Sequence, residues 1–372
     1  MTLRVGYTIE QCWHRVPGGT ATSAIGAARA VAERDDVDLI GVAARHRGLP
    51  APSWVPPIPV RHLALPRRAL YESWHTLRRP RVERATGHVD VIHATGMAVP
   101  PRTAPLVVTV HDLAFLRYPQ HATRNGARFF RRSLELTKRD ADLVLCPSDA
   151  TRRDCVAAGI EPARLRVVPW GVTPRIVTDE TRNAAGENRA LVRELGLIPG
   201  RYILWVGTVE PRKNLAGLAA AFALLERRDL TLALVGPQGW NEDIRSHLAP
   251  IESQTRVLGF VGENELGALY EHAAAFCYPS LLEGFGMPVL EAMAAGAPVV
   301  TSKGTATEEV LGGCGIAVDP LDPAAIADAL ASLVDDAAQR SRFASLARQR
   351  AAEFTWDRTA DLTVAAYHEV AE

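Results

Sequence analysis

Glu283 and Glu291 stand eight positions apart around a turn that carries two glycines, in the run Glu283-Gly284-Phe285-Gly286-Met287-Pro288-Val289-Leu290-Glu291. The apolar stretch before it, Ala273 to Ser280, reads as a buried strand and its exit. Pro288 suits the first position of a helix, where a missing N–H costs nothing, and Gly296 suits its end. Strand, glycine turn and helix therefore follow one another. Glycine lets a backbone approach a ligand closely, and the free N–H groups at a helix start carry partial positive charge. Such a place binds phosphate. One acid precedes the turn and the other falls in the first helical turn, so both can border one pocket at different heights. Glu291 also has a plain structural reading, as a carboxylate favoured by the helix dipole.

A second run, Gly207-Thr208-Val209-Glu210-Pro211-Arg212-Lys213-Asn214-Leu215, follows the strand-like segment 202–206. It puts Arg212 and Lys213 just before a helix starting near Asn214. Cations there oppose the helix dipole unless an anion joins them. The chain has three lysines (Lys138, Lys213 and Lys303) among 42 basic residues, so a lysine at this place hints that arginine would not serve. In the first half, His111-Asp112 follows the strand-like run Leu106 to Val110, and ligands of open parallel sheets bind just beyond such ends. Asp112 can equally be a cap that ends the strand. Pro17-Gly18-Gly19 lies between a first strand and a first helix, where it reads as a phosphate-binding turn or as an ordinary one.

The two runs resemble the E-x7-E signature and the diphosphate-binding motif of retaining glycosyltransferases of family 4, over nearly the whole chain. The resemblance implies an α/β fold of the GT-B type: two doubly wound Rossmann-like domains with parallel sheets facing across a cleft, and a C-terminal helix crossing back to the first domain. It implies that Arg212 and Lys213 neutralise the departing diphosphate, with Gly18, Gly19, Gly207 and Thr208 near it. One branch of the family has Gly-Arg where this chain has Gly207-Thr208, which leaves open which cation makes the main contact. Glu283, with the backbone of Gly284, Phe285, Gly286 and Met287, would hold the sugar. Glu291, beside Leu290, would bind the ribose hydroxyls, Val261 the base, and His111 the donor sugar. The second run and the segment His111-Asp112-Leu113-Ala114-Phe115-Leu116 together look most like bacterial mannosyltransferases of cell-envelope glycan synthesis. They imply GDP-mannose as donor, a glycan or lipid-linked acceptor, same-face substitution, and neither metal nor other cofactor. A nucleotide-sugar 2-epimerase of the same fold, and a non-catalytic sugar-nucleotide-binding partner of another transferase, are the competing readings.

At 372 residues the chain can form two domains, each with its own core. Hydrophobic and charged fractions of 47% and 23% are those of an ordinary globular protein. The zero net charge hides an asymmetry: residues 1–171 carry 25 Lys and Arg against 15 Asp and Glu, and the remainder reverses the balance. A basic half suits an anionic membrane surface or an anionic acceptor, or simply gives an arginine-rich solvated face. No apolar run spans a membrane, and nothing reads as a leader or a nucleic-acid motif. The five scattered cysteines imply a reducing cytoplasm, with the inner face of the plasma membrane as a further location. No His or Cys spacing suggests zinc. The pairs Asp36-Val37-Asp38 and Asp140-Ala141-Asp142 have the form of metal-binding acids, but both precede strands and lie away from a glycine turn.

The elements that must position these residues alternate between strand and helix, as in parallel sheets. Strands are expected at Leu3 to Tyr7, Val37 to Ala43, Leu106 to Val110, Asp142 to Ser148, Tyr202 to Val206, Thr231 to Val235, Arg256 to Gly259, Ala275 to Tyr278 and Pro298 to Thr301, and the first domain should close after Leu165 to Pro169. Arginine-rich helices are expected from about Arg67 to Thr86 and from about Thr123 to Arg139. A short one is expected around Arg189 to Leu195, and residues 48–60 form a proline-rich connection. The expected domains are 1–171 on the acceptor side, 172–354 for the nucleotide sugar, and a crossover helix over 355–372.

Overall fold

The computed structural model describes residues 2–14, 17–121, 124–173, 179–237, 239 and 245–372. Thr123, where the second arginine-rich helix is expected to begin, lies outside them. The chain divides into one unit of Met1–Gly171 with Phe354–Glu372 and another of Val172–Glu353.

The first unit holds seven strands: β1 (Leu3–Thr8), β2 (Val37–Ala43), β3 (Val60–His62), β4 (Val91–Ala94), β5 (Leu106–Thr109), β6 (Leu143–Cys146) and β7 (Leu165–Val167). They run parallel in the order β3-β2-β1-β4-β5-β6-β7. The order reverses between β1 and β4, so the carboxyl ends of those two strands open a crevice. The terminal helix Trp356–Ala371 belongs to this unit. The Trp356 ring lies where a Cβ on Gly26 would meet it at 2.4 Å, and Tyr367 joins its hydroxyl to His93 at 2.7 Å.

The second unit holds β8 (Tyr202–Val206), β9 (Thr231–Val235), β10 (Thr255–Gly259), β11 (Ala275–Tyr278), β12 (Val299–Ser302) and β13 (Ile316–Val318), parallel in the order β10-β9-β8-β11-β12-β13. Its reversal falls between β8 and β11. Those are the strands whose exits carry the two motif runs, so the topology makes neighbours of segments about seventy positions apart in the chain.

Four strands, β3, β4, β7 and β13, were not expected. β4 is hidden by His93 in its middle, which reads as polar although the ring is 3% exposed. The ring is bonded at both nitrogens, to the Tyr367 hydroxyl and to Thr109 Oγ1 at 2.8 Å. Burial drives its pKa down to about 3, so it stays neutral. The expected helix from Arg67 to Thr86 is two helices, Arg67–Thr76 and Glu83–Thr86. Pro80 breaks it, because proline has no N–H for the ladder and drives the preceding residue out of the helical region. Arg78 sits at the break and leaves the solvated basic face. Its guanidinium donates to the carbonyls of Trp74, Val99 and Pro100 and to Asp140 at 2.8 Å. The helix expected at 189–195 runs over Asp179–Glu194. The aspartates of both D-x-D pairs are engaged within the first unit: Asp36 with His368, Asp38 with Arg4, Asp140 with Arg78 and Arg139, Asp142 with Arg102.

Candidate active site

At the exit of β8 the chain makes a short 3-10 turn, Pro211–Lys213, and Asn214 then adopts φ +52°. Asn214 is held there by its side chain, which accepts from Gly217 N and donates to the carbonyls of Pro279 and Pro320. The helix Leu215–Leu224 follows. At the exit of β11, Leu281 N donates to Arg212 O at 2.8 Å, which ties the two exits together.

Across that tie the charged groups meet. Lys213 Nζ lies 2.5 Å from Glu283 Oε1 and also donates to the Tyr278 hydroxyl. Arg212 reaches Glu283 Oε2 at 2.7 Å, Glu210 Oε1 at 2.7 Å and the Leu282 carbonyl at 2.8 Å. Glu283 Oε1 accepts further bonds from the Tyr278 hydroxyl at 2.9 Å and Ser280 Oγ at 2.8 Å. Three of these four contacts crowd Oε1, and Oε2 has Arg212. Burial raises the pKa of Glu283, but Arg212 and Lys213 outweigh it and hold the carboxyl at about 2. Burial, then the Arg212 charge, lowers the Lys213 pKa against the pull of Glu283. The cations at this helix start thus already have anions, Glu283 and Glu210, where the sequence argument required one from outside.

The second acid sits in a different environment. The helix after the glycine turn spans Met287–Ala295, so Glu291 is its fifth residue and lies beyond the first turn. The dipole therefore does not account for it. Its Oε2 accepts from the Tyr270 hydroxyl at 3.0 Å, and burial pushes its pKa up to about 7 against that bond. The ordinary value is 4.5. Between the two, the native protein keeps a proton that the unfolded chain has lost. Stability therefore falls as pH rises through that window, and the loss is complete above it. Glu291→Gln is expected to be about 2 kcal/mol more stable than the parent near pH 8 and no different near pH 4. Urea melts at the two pH values measure this, and an equal gain at both would refute it.

The turn itself depends on Gly286, which has φ +104° and whose Cβ would come 2.6 Å from Thr307 Cγ2. Phe285 and Met287 are buried, and the Leu290 side chain is fully buried, so Leu290 belongs to the core of this unit. Gly207 and Thr208 follow β8. Gly236 and Gly239, which sequence reasoning passed over, press on that segment: a Cβ on Gly236 would lie 2.0 Å from Gly207 O, and one on Gly239 2.1 Å from Val209 O. Val261 is half-buried after β10, next to the exposed Phe260.

In the first unit, His111 follows β5. Its Nε2 donates to Thr95 O at 2.8 Å beyond the end of β4, and burial lowers its pKa, so the ring is neutral with Nε2 protonated. Asp112 accepts from Ala114 N at 2.9 Å, the capping role foreseen as its alternative. Gly18 and Gly19 open the helix Gly18–Ala32 and are exposed, Gly18 at φ +60°. Sequence reasoning also missed Glu210, Tyr270, Tyr278 and Ser280. Tyr278 and Ser280 alternate at the exit of β11, and that period-two placement was the available signal.

Two doubly wound parallel sheets, the second with a cation pair and two acids gathered around its switch point, define a glycosyltransferase of the GT-B class. Residues 17–176 match the family described as Glycosyltransferase Family 4, and residues 200–336 match Glycosyl transferases group 1. The chain belongs to this glycosyltransferase family. It is 32% identical to the O-antigen chain mannosyltransferase B of Escherichia coli, over 74% of this chain and 74% of that one. It is 31% identical to the D-inositol 3-phosphate glycosyltransferase of Salinispora arenicola, over 78% of this chain and 71% of that one. The crystal structure of Anabaena Alr3699/HepE in complex with UDP and glucose shares the fold, with a TM-score of 0.76 at 19% identity over 99% of this chain and 100% of that one.

Proposed function

We propose that this glycosyltransferase takes mannose from GDP-mannose and transfers it, with retention, to a glycan or lipid-linked acceptor in cell-envelope polysaccharide synthesis. The bond from the anomeric carbon to the diphosphate breaks, and the acceptor oxygen bonds to that carbon on the same face. The leaving phosphate oxygen takes the acceptor's proton. Double displacement would need a carboxylate free to attack the sugar. The observation that supports the same-face reading is the pairing of Glu283 with two cations, Arg212 and Lys213, which hold its carboxyl at about 2 and leave it a weak nucleophile. Arg212 and Lys213 supply the positive charge that a metal supplies elsewhere, so the reaction runs without one. Mannose as the sugar is supported by the name of the Escherichia coli relative. Glu291 binds the ribose hydroxyls, and the amides of Gly284 to Met287 hold the sugar with Glu283.

A thermal-shift panel of GDP-, UDP-, dTDP- and ADP-sugars tests the donor, because a ligand that binds only the native state stabilises it by mass action. GDP-mannose should give the largest shift, and a larger one with a UDP-sugar would replace it. Release of nucleoside diphosphate only on adding acceptor separates transfer from epimerisation. No helix among the described residues is long and apolar enough to cross a membrane. Peripheral contact with anionic lipid at the cytoplasmic face, through the basic first unit, is part of the same proposal. Its sign is vesicle co-sedimentation that weakens as salt rises. Binding indifferent to ionic strength would count against it.

A further inference from the structure

We infer that Tyr278 is a positioning residue of the transfer reaction, holding the Lys213 ammonium charged and aimed for the departing diphosphate. The inference rests on the reading of Lys213 as the group that meets that leaving charge. Tyr278 is the last residue of β11 and is fully buried. Its hydroxyl accepts from Lys213 Nζ and donates to Glu283 Oε1 at 2.9 Å, so one oxygen bridges the cation and its carboxylate. The ring is fixed in turn by stacking on Phe276 at 5.8 Å, inside the sheet.

An ammonium has three N–H donors, and Glu283 and Tyr278 take two of them. With those two bonds set by a rigid strand, the direction of the third is set as well. A buried lysine loses its proton readily, since burial and the Arg212 charge both favour the neutral amine. A phenol oxygen that accepts from Nζ opposes that loss. Removing it should therefore affect both the aim and the charge of Lys213 while leaving the ring in place. Ser280 donates to the same Glu283 oxygen without touching Lys213, which makes it the contrasting position. Tyr202, a buried tyrosine of β8 whose hydroxyl donates to Leu269 O at 2.6 Å, supplies a structural control.

The test is the pH profile of kcat for Tyr278→Phe, read by release of nucleoside diphosphate with whichever sugar donor the parent turns over. The expected result is a fall in kcat of about ten- to a hundredfold, the effect of losing a hydrogen bond to a charged group. The alkaline limb should also move to lower pH by about one unit. Ser280→Ala and Tyr202→Phe should leave that limb where it is. An unchanged kcat, or a lowered kcat with an unmoved alkaline limb, overturns the inference. So does an equal displacement of the limb in Tyr202→Phe. A parent enzyme that turns over no GDP-mannose but works with another donor would refute the donor assignment and leave the profile readable. Intact melting curves separate both results from a failure to fold.

Discussion

Lys213→Ala is expected to lower turnover on the order of a hundredfold or more, the scale of losing one preorganised donor to a developing oxyanion. Lys213 is 9% exposed and sits between Glu283 and Tyr278 in the crossing of two strand exits. Its charge is in place before any substrate arrives, so none of the reaction's free energy goes into orienting it. Alanine removes the charge and leaves Glu283 with Arg212, Ser280 and Tyr278. The remaining guanidinium keeps the carboxylate paired, which limits the stability cost to about 1–3 kcal/mol, below that of stranding a buried ion. The protein should still fold at 25 °C. Lys213→Arg should not restore the rate, because a planar fork cannot take the narrow place against Tyr278 that a compact ammonium fills. Single-turnover rates on a sample shown by circular dichroism to be folded decide the matter. Turnover within a few-fold of the parent would remove Lys213 from the mechanism.

Gly236→Ala is expected to cost about 3 kcal/mol or more and to raise the donor KM as well. Gly236 follows β9 with φ +130°, and its amide donates to Gly259 O at 2.7 Å. An added Cβ would meet Gly207 O at 2.0 Å and Gly207 C at 2.7 Å, and neither atom belongs to a side chain that could turn aside. Backbone strain at positive φ accounts for about 1–2 kcal/mol, and overpacking against main chain adds about 1–3. Relief must come from moving the segment Gly207 to Glu210, which leads directly to Arg212 and Lys213. Gly304 provides the control: it has φ +75° and open space around it, so Gly304→Ala should show the strain alone, about 1 kcal/mol. Urea midpoints of the two variants measure the difference. Equal destabilisation would mean that the Gly207 contact is unimportant.

Much of the architecture could be read locally. Most of the strands announce themselves as apolar runs between turn residues, because a strand buried on both faces must be apolar along its length. Strands β3, β7 and β13 are three residues long and too short for a pattern, and β4 is disguised by His93, whose polarity is cancelled by two partners from other elements. The helix expected through Pro80 was an error of the opposite kind. A local rule there was overruled by a periodic count of arginines, and Arg78 proved to be a half-buried clamp.

Residue types and short-range spacing alone determined that Glu283, Arg212 and Lys213 lie beyond the exits of strands in a doubly wound sheet, and that Glu291 follows in the next helix. Those features depend on φ, on proline and glycine chemistry, and on the helix dipole, all of which act over a few residues. Only the tertiary structure decided that Lys213 is bonded to Glu283 and Tyr278, that Glu210 shares Arg212, and that Glu291 answers to Tyr270. Those partners come from the strand order, which sets β8 beside β11. The Arg212 and Lys213 charges then hold one carboxyl down at about 2, and burial pushes the other up to about 7. Charge and desolvation act through space, and the distances involved exist only once the sheet has closed.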